Sequence, residues 1–202
     1  QLSFPGIIIN SHTHGEYMDN KKYWPIFEAA ESLSMPIYLH PRTPSQSIIQ
    51  SFLDFDLYGA SWGFSVETSL HAMRLIMSGV FDQFPGLKIV LGHMGEGIPF
   101  WLDRIDNRYL LWKKVGSSET LKGLPSEYFK NNFYISTSGM TYQAPLELTL
   151  KTLGAENILF AGDYPYEDIQ EAVKGINACC VADSVRKKIF HENAEKVFRI
   201  PA

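Results

Sequence analysis

Short apolar runs alternate along this chain with stretches of helical period, and their order predicts its architecture. Residues 6–10, Gly-Ile-Ile-Ile-Asn, form an apolar run rich in β-branched residues that breaks into the polar stretch 11–20, the pattern of a buried strand entering a loop. From 23 to 33, Trp24, Phe27, Ala30 and Leu33 recur at helical spacing, and Pro36 closes the segment before Ile37-Tyr38-Leu39, a second strand that ends in His40. Strand, helix, strand marks a parallel unit. Residues 41–61 carry Pro, Ser, Asp and Gly without a period and predict a long loop, a kind that often serves function in compact domains. A helix over 65–78 places Val66, Leu70, Met73 and Met77 on one stripe, with Gly79 as its C-terminal cap. The pattern then predicts a strand over 88–91 running into Gly92-His93, a helix over 99–112, a strand over 133–136, a helix over 144–153 stopped by Gly154, and a fifth strand over 157–161 followed by Gly162-Asp163. The remainder, 168–198, reads as helix with breaks near Ala182-Asp183 and around His191. No repeat, low-complexity tract or linker divides the chain, so 1–202 is expected to form a single domain.

Five strand-and-helix units in a row fit either a doubly wound sheet or part of a (β/α)₈ barrel, and the polar residues decide between them. They sit at the strand ends: His12 after the first, His40 on the second, His93 after the third, Ser136 and Thr137 at the fourth, Asp163 after the fifth. In a parallel barrel these ends converge on one face, where sites are built from several strands. The glycine patterns that cradle phosphates in doubly wound folds are absent, and segment 92–97 places a histidine and an acid where a nucleotide loop needs bare backbone. Imidazole nitrogen and carboxylate oxygen together suit a borderline divalent ion such as zinc or manganese, which makes His40 and Asp163 candidate ligands. His93, with Glu96 three residues on, reads as a His-carboxylate pair or a substrate-contacting imidazole.

Composition narrows the partners. The 18 basic and 22 acidic residues give a net charge of −4, which offers no electrostatic case for nucleic acid or an anionic membrane and leaves small-molecule chemistry. Adjacent Cys179 and Cys180 cannot staple a fold of this size and read as reduced thiols, which suits the cytoplasm. No apolar run approaches the ~18 residues of a membrane span, and residues 1–20 lack the plan of a signal peptide. His71 and His191, inside and before helices, are expected to be structural or surface groups, and Arg186, Lys187 and Lys188 a solvated face.

Three motifs then carry a resemblance. Tyr38-Leu39-His40-Pro41-Arg42, Gly92-His93-Met94-Gly95-Glu96-Gly97 and Phe160-Ala161-Gly162-Asp163-Tyr164-Pro165-Tyr166-Glu167, with Thr137-Ser138-Gly139 between, resemble the amidohydrolase-type metal-dependent decarboxylases, most of all those acting on γ-resorcylate and 2,3-dihydroxybenzoate. The resemblance implies a (β/α)₈ barrel, a zinc or manganese ion, and non-oxidative loss of carbon dioxide from a small aromatic acid of the ortho-hydroxybenzoate type. It implies that His40 and Asp163 bind the metal, that Asp163 is also the general acid, and that His93 with Glu96 lies beside the substrate carboxylate. By the same resemblance Arg104 contacts substrate, Trp62 and Phe64 match an aromatic wall, and Tyr164 flanks the third motif. Such an enzyme is expected to be a homo-oligomer, a dimer or tetramer.

One departure changes the expectation. Family members open with a strand ending in Glu-x-His or His-x-His, whereas motif order makes these five strands resemble the fourth through eighth of the barrel. Ser11-His12-Thr13-His14 mimics such a pair, yet it stands too close to His40 and also resembles the loop after the fourth strand, so His12 and His14 remain either ligands or loop residues at a pocket rim. A full barrel needs ~250 residues. The chain is therefore expected to be the C-terminal part of a barrel with an incomplete metal site, its open sheet edges covered by a missing segment or another copy. Hydrolysis of an amide, ester or lactone by the same architecture, and a non-catalytic fragment or binding partner, are the alternatives.

Overall fold

The aliphatic runs extend and pair as their composition requires. In the computed structural model, which describes residues 4–116 and 121–200, Ile7–Asn10 (β1), Ile37–His40 (β2), Ile89–Leu91 (β3), Phe133–Ser136 (β4) and Ile158–Leu159 (β5) form one parallel sheet in the order β1-β2-β3-β4-β5. Ile7 stands opposite Ile37, Leu39 opposite Leu91, Leu91 opposite Ile135, and Ile135 opposite Ile158. Unbroken chain order is that of successive barrel staves; a doubly wound sheet reverses at a switch point. Among the described residues β1 and β5 each have one neighbour, and Ile8 on the β1 edge is 65% exposed. The fifth strand is two residues long, shorter than the predicted 157–161, because Phe160 N–H leaves the ladder and donates to the Ile189 carbonyl at 2.7 Å.

The crossovers are Trp24–Ser32 (α1), Gly63–Met77 (α2) with Val80–Gln83 (α3), the short turn His93–Glu96 (α4) with Ile98–Lys114 (α5) and Pro125–Asn132 (α6), and Gln143–Leu153 (α7). The chain ends in Ile169–Ala178 (α8), Asp183–Lys187 (α9), a π-turn at Lys188–Glu192 and Asn193–Phe198 (α10), so the breaks at 182–183 and around His191 fall where the sequence puts them. Residues 41–61 are irregular apart from a 3₁₀ turn, Ile49–Phe52, as predicted. Helix α6 is absent from the sequence reading: its residues hold little apolar period, and it is started by Pro125 in the first turn and by Glu127, whose carboxylate accepts Leu124 N–H at 2.8 Å. Its last residue, Asn132, donates to the carbonyls of Pro85 and Leu87 at 3.0 and 2.9 Å, which fixes where β4 begins.

One face of the sheet contributes Ile37, Leu39, Ile89, Leu91, Phe133 and Ile135 to the main core, beneath the helices. Phe133 packs on Phe129 and Phe81 with ring centroids 5.0 and 5.3 Å away, so truncating it to alanine would cost about 3–5 kcal/mol. On the opposite face Val90 and Leu159 meet Val197, with Tyr38 and Tyr134 against them. Helix α2 packs on two sides, and Met73 and Met77 of the expected stripe reach the edge of the core. It buries Glu67, Thr68, His71, Ala72, Leu75 and Ile76, while the stripe of Val66, Leu70, Met73 and Met77 lines an open groove against α5. Both sides of α2 carry apolar residues, so periodicity alone did not select the buried one. Cys179 is buried, Cys180 exposed, and both are free thiols. Among the described residues no helix is long and apolar enough to cross a membrane.

As expected, His191 is an exposed partner of Glu195 and His71 is a fully buried structural group. Its Nε2 accepts Met18 N–H at 3.1 Å, so the ring proton lies on Nδ1, which donates to Ser11 Oγ at 3.2 Å. Burial is the main cause that holds its pKa down to about 4; Arg74 and His12 act the same way and Asp19 opposes them. The unfolded chain accepts a proton on this ring near pH ~6.5 that the folded chain refuses, so stability is full above that pH and falls by about 2 kcal/mol by about pH 4.5. Urea unfolding at neutral and acid pH measures this loss. His71→Gln should destabilise the protein at both pH values yet shrink the difference between them; an undiminished difference would assign the acid sensitivity elsewhere.

Candidate active site

All five strands run the same way, so their C-terminal ends form one rim, and the chain leaves that rim in unusual conformations. After β3 the residues His93, Met94, Gly95, Glu96 and Gly97 all have positive φ, between +48 and +82°. Three of the five are not glycine, each costing roughly 1 kcal/mol or more in the left-handed region. The reversed turn brings the His93 ring back onto Glu96: Nδ1–H donates to Glu96 Oε1 at 2.6 Å. Its other nitrogen, Nε2, lies 3.7 Å from Asp163 Oδ2. Burial pulls the His93 pKa down, but the Glu96 hydrogen bond and the charges of Glu96 and Asp163 outweigh it, and the net direction is up.

Neighbouring strands hold this pair. His93 N–H donates to Ser138 Oγ at 3.3 Å, Ser138 bonds Ser136 at 3.0 Å, and Ser136 bonds the Tyr38 hydroxyl at 2.7 Å, a chain of hydroxyls across β2 and β4. Burial raises the Tyr38 pKa, and the Asp163 and Glu96 charges add to it. Thr137 fixes the loop after β5 by donating its hydroxyl to Ala161 O at 3.0 Å and accepting Ala161 N–H at 3.1 Å. Asp163 follows with φ +61°, its carbonyl accepting the N–H groups of Tyr166 and Glu167 at 2.9 and 3.1 Å. Two glycines give the room: a Cβ on Gly139 would lie 3.3 Å from His93 Cδ2 and 3.7 Å from Asp163 Oδ2, and one on Gly162 would lie 2.2 Å from Ile169 Cδ1.

The remaining sequence-predicted residues divide. His40 is exposed at the end of β2, and its Nδ1–H donates to Pro41 O at 2.8 Å, which leaves the Nε2 lone pair free to ligate. His12 is not free: Nδ1 accepts Gly15 N–H at 3.1 Å and Nε2 donates to Thr43 O at 3.1 Å, so the rim-residue alternative fits it. His14 lines, with His12, Arg42 and Thr43, a cavity of about 590 Å³ between the loops after β1 and β2. Arg104, exposed on α5, shares the wall of a 510 Å³ groove with Glu96 and Trp101. Asp106 is no partner for it, since both its oxygens accept from Ser126, at 2.9 and 2.6 Å. Trp62, 58% exposed, and Phe64 sit at the start of α2, and Tyr164 is 78% exposed beyond Asp163.

Among the described residues no three His, Cys, Asp or Glu side chains converge as a metal shell. The donor chemistry nevertheless fits part of one: a neutral imidazole with a fixed tautomer at His40 and a carboxylate at Asp163. The strands that carry them are three spacings apart, roughly 14 Å along the sheet, so an ion shared by both would sit across its curvature.

Comparison with known proteins places this arrangement. The amidohydrolase family model matches residues 1–200. The chain is 38% identical over 207 residues to a γ-resorcylate decarboxylase of Polaromonas sp. (strain JS666), a match covering 99% of this chain and 63% of the relative. The crystal structure of 5-carboxyvanillate decarboxylase from Sphingomonas paucimobilis superposes with a TM-score of 0.94 at 45% identity, covering 98% of this chain and 59% of that one. A dihydroxybenzoic acid decarboxylase from Polaromonas sp. JS666, solved with bound manganese and the inhibitor 2-nitroresorcinol, gives a TM-score of 0.89 at 38% identity, covering 96% and 60%. The chain thus spans about three fifths of the length of these relatives.

Among the described residues Glu96 Oε2 is the one buried side-chain oxygen without a hydrogen-bond partner. Glu96→Gln keeps the shape of the side chain but loses the charged hydrogen bond to His93 and sets an amide NH₂ where no acceptor stands. It is expected to lower stability by about 1 kcal/mol, or roughly 3 °C in Tm by thermal unfolding. A raised Tm would show that the buried charge costs more than its bond to His93 returns.

Proposed function

Because the chain belongs to the amidohydrolase family, we propose that it is part of a metal-dependent enzyme that removes carbon dioxide, without oxidation, from hydroxybenzoate-type aromatic acids. The observation that carries this reading is the Asp163 carboxylate 3.7 Å from an imidazole whose far nitrogen is tied to Glu96, on a rim where strand ends meet. Residues 1–202 act in it as one domain, the last five βα units of a (β/α)₈ barrel; the sheet left open at β1 and β5 among the described residues and the three-fifths coverage of the relatives support that assignment.

In this reading His40, through Nε2, and Asp163 would hold a divalent ion, manganese or zinc, with further ligands from outside the described residues. Such an ion would supply positive charge that stabilises the anionic groups of the acid. Asp163 gives a proton to the ring carbon that bears the carboxylate. A C–H bond forms there, the C–C bond to the carboxylate then breaks, its electron pair restores the aromatic ring, and carbon dioxide leaves. His93, its proton affinity raised, stands next to Asp163 to return the proton, and Glu96 fixes its ring. Arg104 reaches the groove beside Glu96 and orients an anionic group of the substrate. Trp62, Phe64 and Tyr164 flank the substrate, the protein is cytoplasmic, and it works as a homo-oligomer, which the exposed Trp101 and Trp112 on α5 support.

Carbon dioxide release from a panel of hydroxybenzoates by the full-length gene product tests the reading directly; no release, or hydrolysis of an ester or lactone instead, ends it. Asp163→Asn should lower turnover by roughly 10²–10⁴-fold while elemental analysis shows a smaller loss of bound metal. Equal losses would leave Asp163 a ligand alone. Arg104→Ala should raise KM about tenfold or more, equivalent to about 1.4 kcal/mol; an unchanged KM would make Arg104 an ordinary surface charge.

A further inference from the structure

Behind the rim, α2 buries a carboxylate that the chemistry above does not use. The Glu67 side chain is fully buried, and no Lys or Arg forms an ion pair with it among the described residues. Every group that faces it is a donor. Ser11 Oγ–H donates to Oε1 at 3.1 Å, Tyr17 O–H to Oε2 at 3.0 Å, and Ser45 N–H to Oε2 at a longer 3.4 Å. The proton order is forced from the far end: Met18 N–H occupies His71 Nε2, His71 Nδ1–H fills a lone pair of Ser11 Oγ, and the Ser11 proton is left for Glu67. Only an acceptor on both oxygens completes this cage, so a carboxylate fits where an amide would set N–H against N–H or O–H.

The donors come from two loops, 11–20 after β1 and 41–48 after β2. The same loops are clipped together away from α2, where Arg42 Nη1 donates to His12 O at 2.9 Å and His12 Nε2 to Thr43 O at 3.1 Å. The second loop begins at Pro41, whose carbonyl receives His40 Nδ1–H. The path from Ser45 back to Pro41 thus determines which way the His40 ring turns. Burying a carboxylate without a countercharge is costly for stability even when it is hydrogen-bonded, and what it accomplishes here is to tie both loops to a rigid helix.

We propose that Glu67 is a positioning residue: it locks the loops after β1 and β2 to α2 and thereby orients His40. The role assigned to His40 rests on the functional reading above; the locking of the loops does not. The test is Glu67→Gln in the full-length, metal-loaded protein, read by amide hydrogen exchange and by steady-state kinetics. Exchange is expected to rise at least tenfold in 11–20 and 41–48 and to stay unchanged in β3 and β4, while kcat falls at least tenfold and KM moves less than threefold. Unchanged exchange in the two loops, or an equal rise in β3 and β4, overturns the proposal, as does a normal kcat with loosened loops. Should Glu67→Gln fail to fold, Tyr17→Phe removes one donor and leaves the carboxylate; it should show the same pattern at severalfold size, and its absence counts equally against the proposal. If the unaltered enzyme decarboxylates nothing, the functional reading falls and the exchange data alone decide on Glu67.

Discussion

Parallel pairing in unbroken chain order is the constraint on which the rest of this structure depends. A parallel neighbour can be reached only by carrying the chain back over the sheet, so every strand begins at one end and finishes at the other. The helices that make the return cover the face bearing Ile37, Leu91 and Phe133, and the loops that leave the strands all crowd onto one rim. Histidines and an aspartate separated by 123 positions, from His40 to Asp163, become parts of one neighbourhood without any long-range contact between their own segments having to specify it.

The rim is where local rules are broken, and the core supports that. Positive φ at His93, Met94, Glu96 and Asp163, a buried carboxylate oxygen without a partner and a second carboxylate without a cation each disfavour the folded state. They are held by elements that obey the rules: the stacked phenylalanines under α6, the Thr137 clasp on Ala161, and the Asn132 amide between two carbonyls. Single left-handed residues also occur elsewhere, as at Ser34 and Arg199, but the unbroken run of five after β3 lies on the rim, as expected of a site whose geometry is imposed by its scaffold.

Much of this was legible in the residues. β-branched runs that stop at His40, His93 and Asp163 reveal both the strands and the rim, and the three-residue step from His93 to Glu96 reveals the imidazole-carboxylate pair. What was not legible depends on geometry that has no period. The left-handed turn makes that pair possible, yet its sequence suggests only flexibility from three glycines. The satisfied state of His12 comes from a backbone N–H and a backbone carbonyl, which are invisible to side-chain spacing. Glu67 sits beside Val66 on a helix with two apolar sides, so its charge argued for the exposed side while its donors held it on the buried one.

Gly162 carries a consequence for how this chain can vary. Its backbone is not left-handed, so nothing intrinsic to the position demands glycine; what excludes a side chain is the Cδ1 of Ile169, on the first turn of α8, 2.2 Å from where a Cβ would stand. That obstacle is the far end of a flexible side chain. Alanine at 162 therefore asks only that Ile169 turn its Cδ1 aside, and valine at 169 would remove the obstacle outright. The two positions are coupled through one methyl group, so the loop that carries Asp163 tolerates a side chain at 162 as far as the first turn of α8 makes room for it.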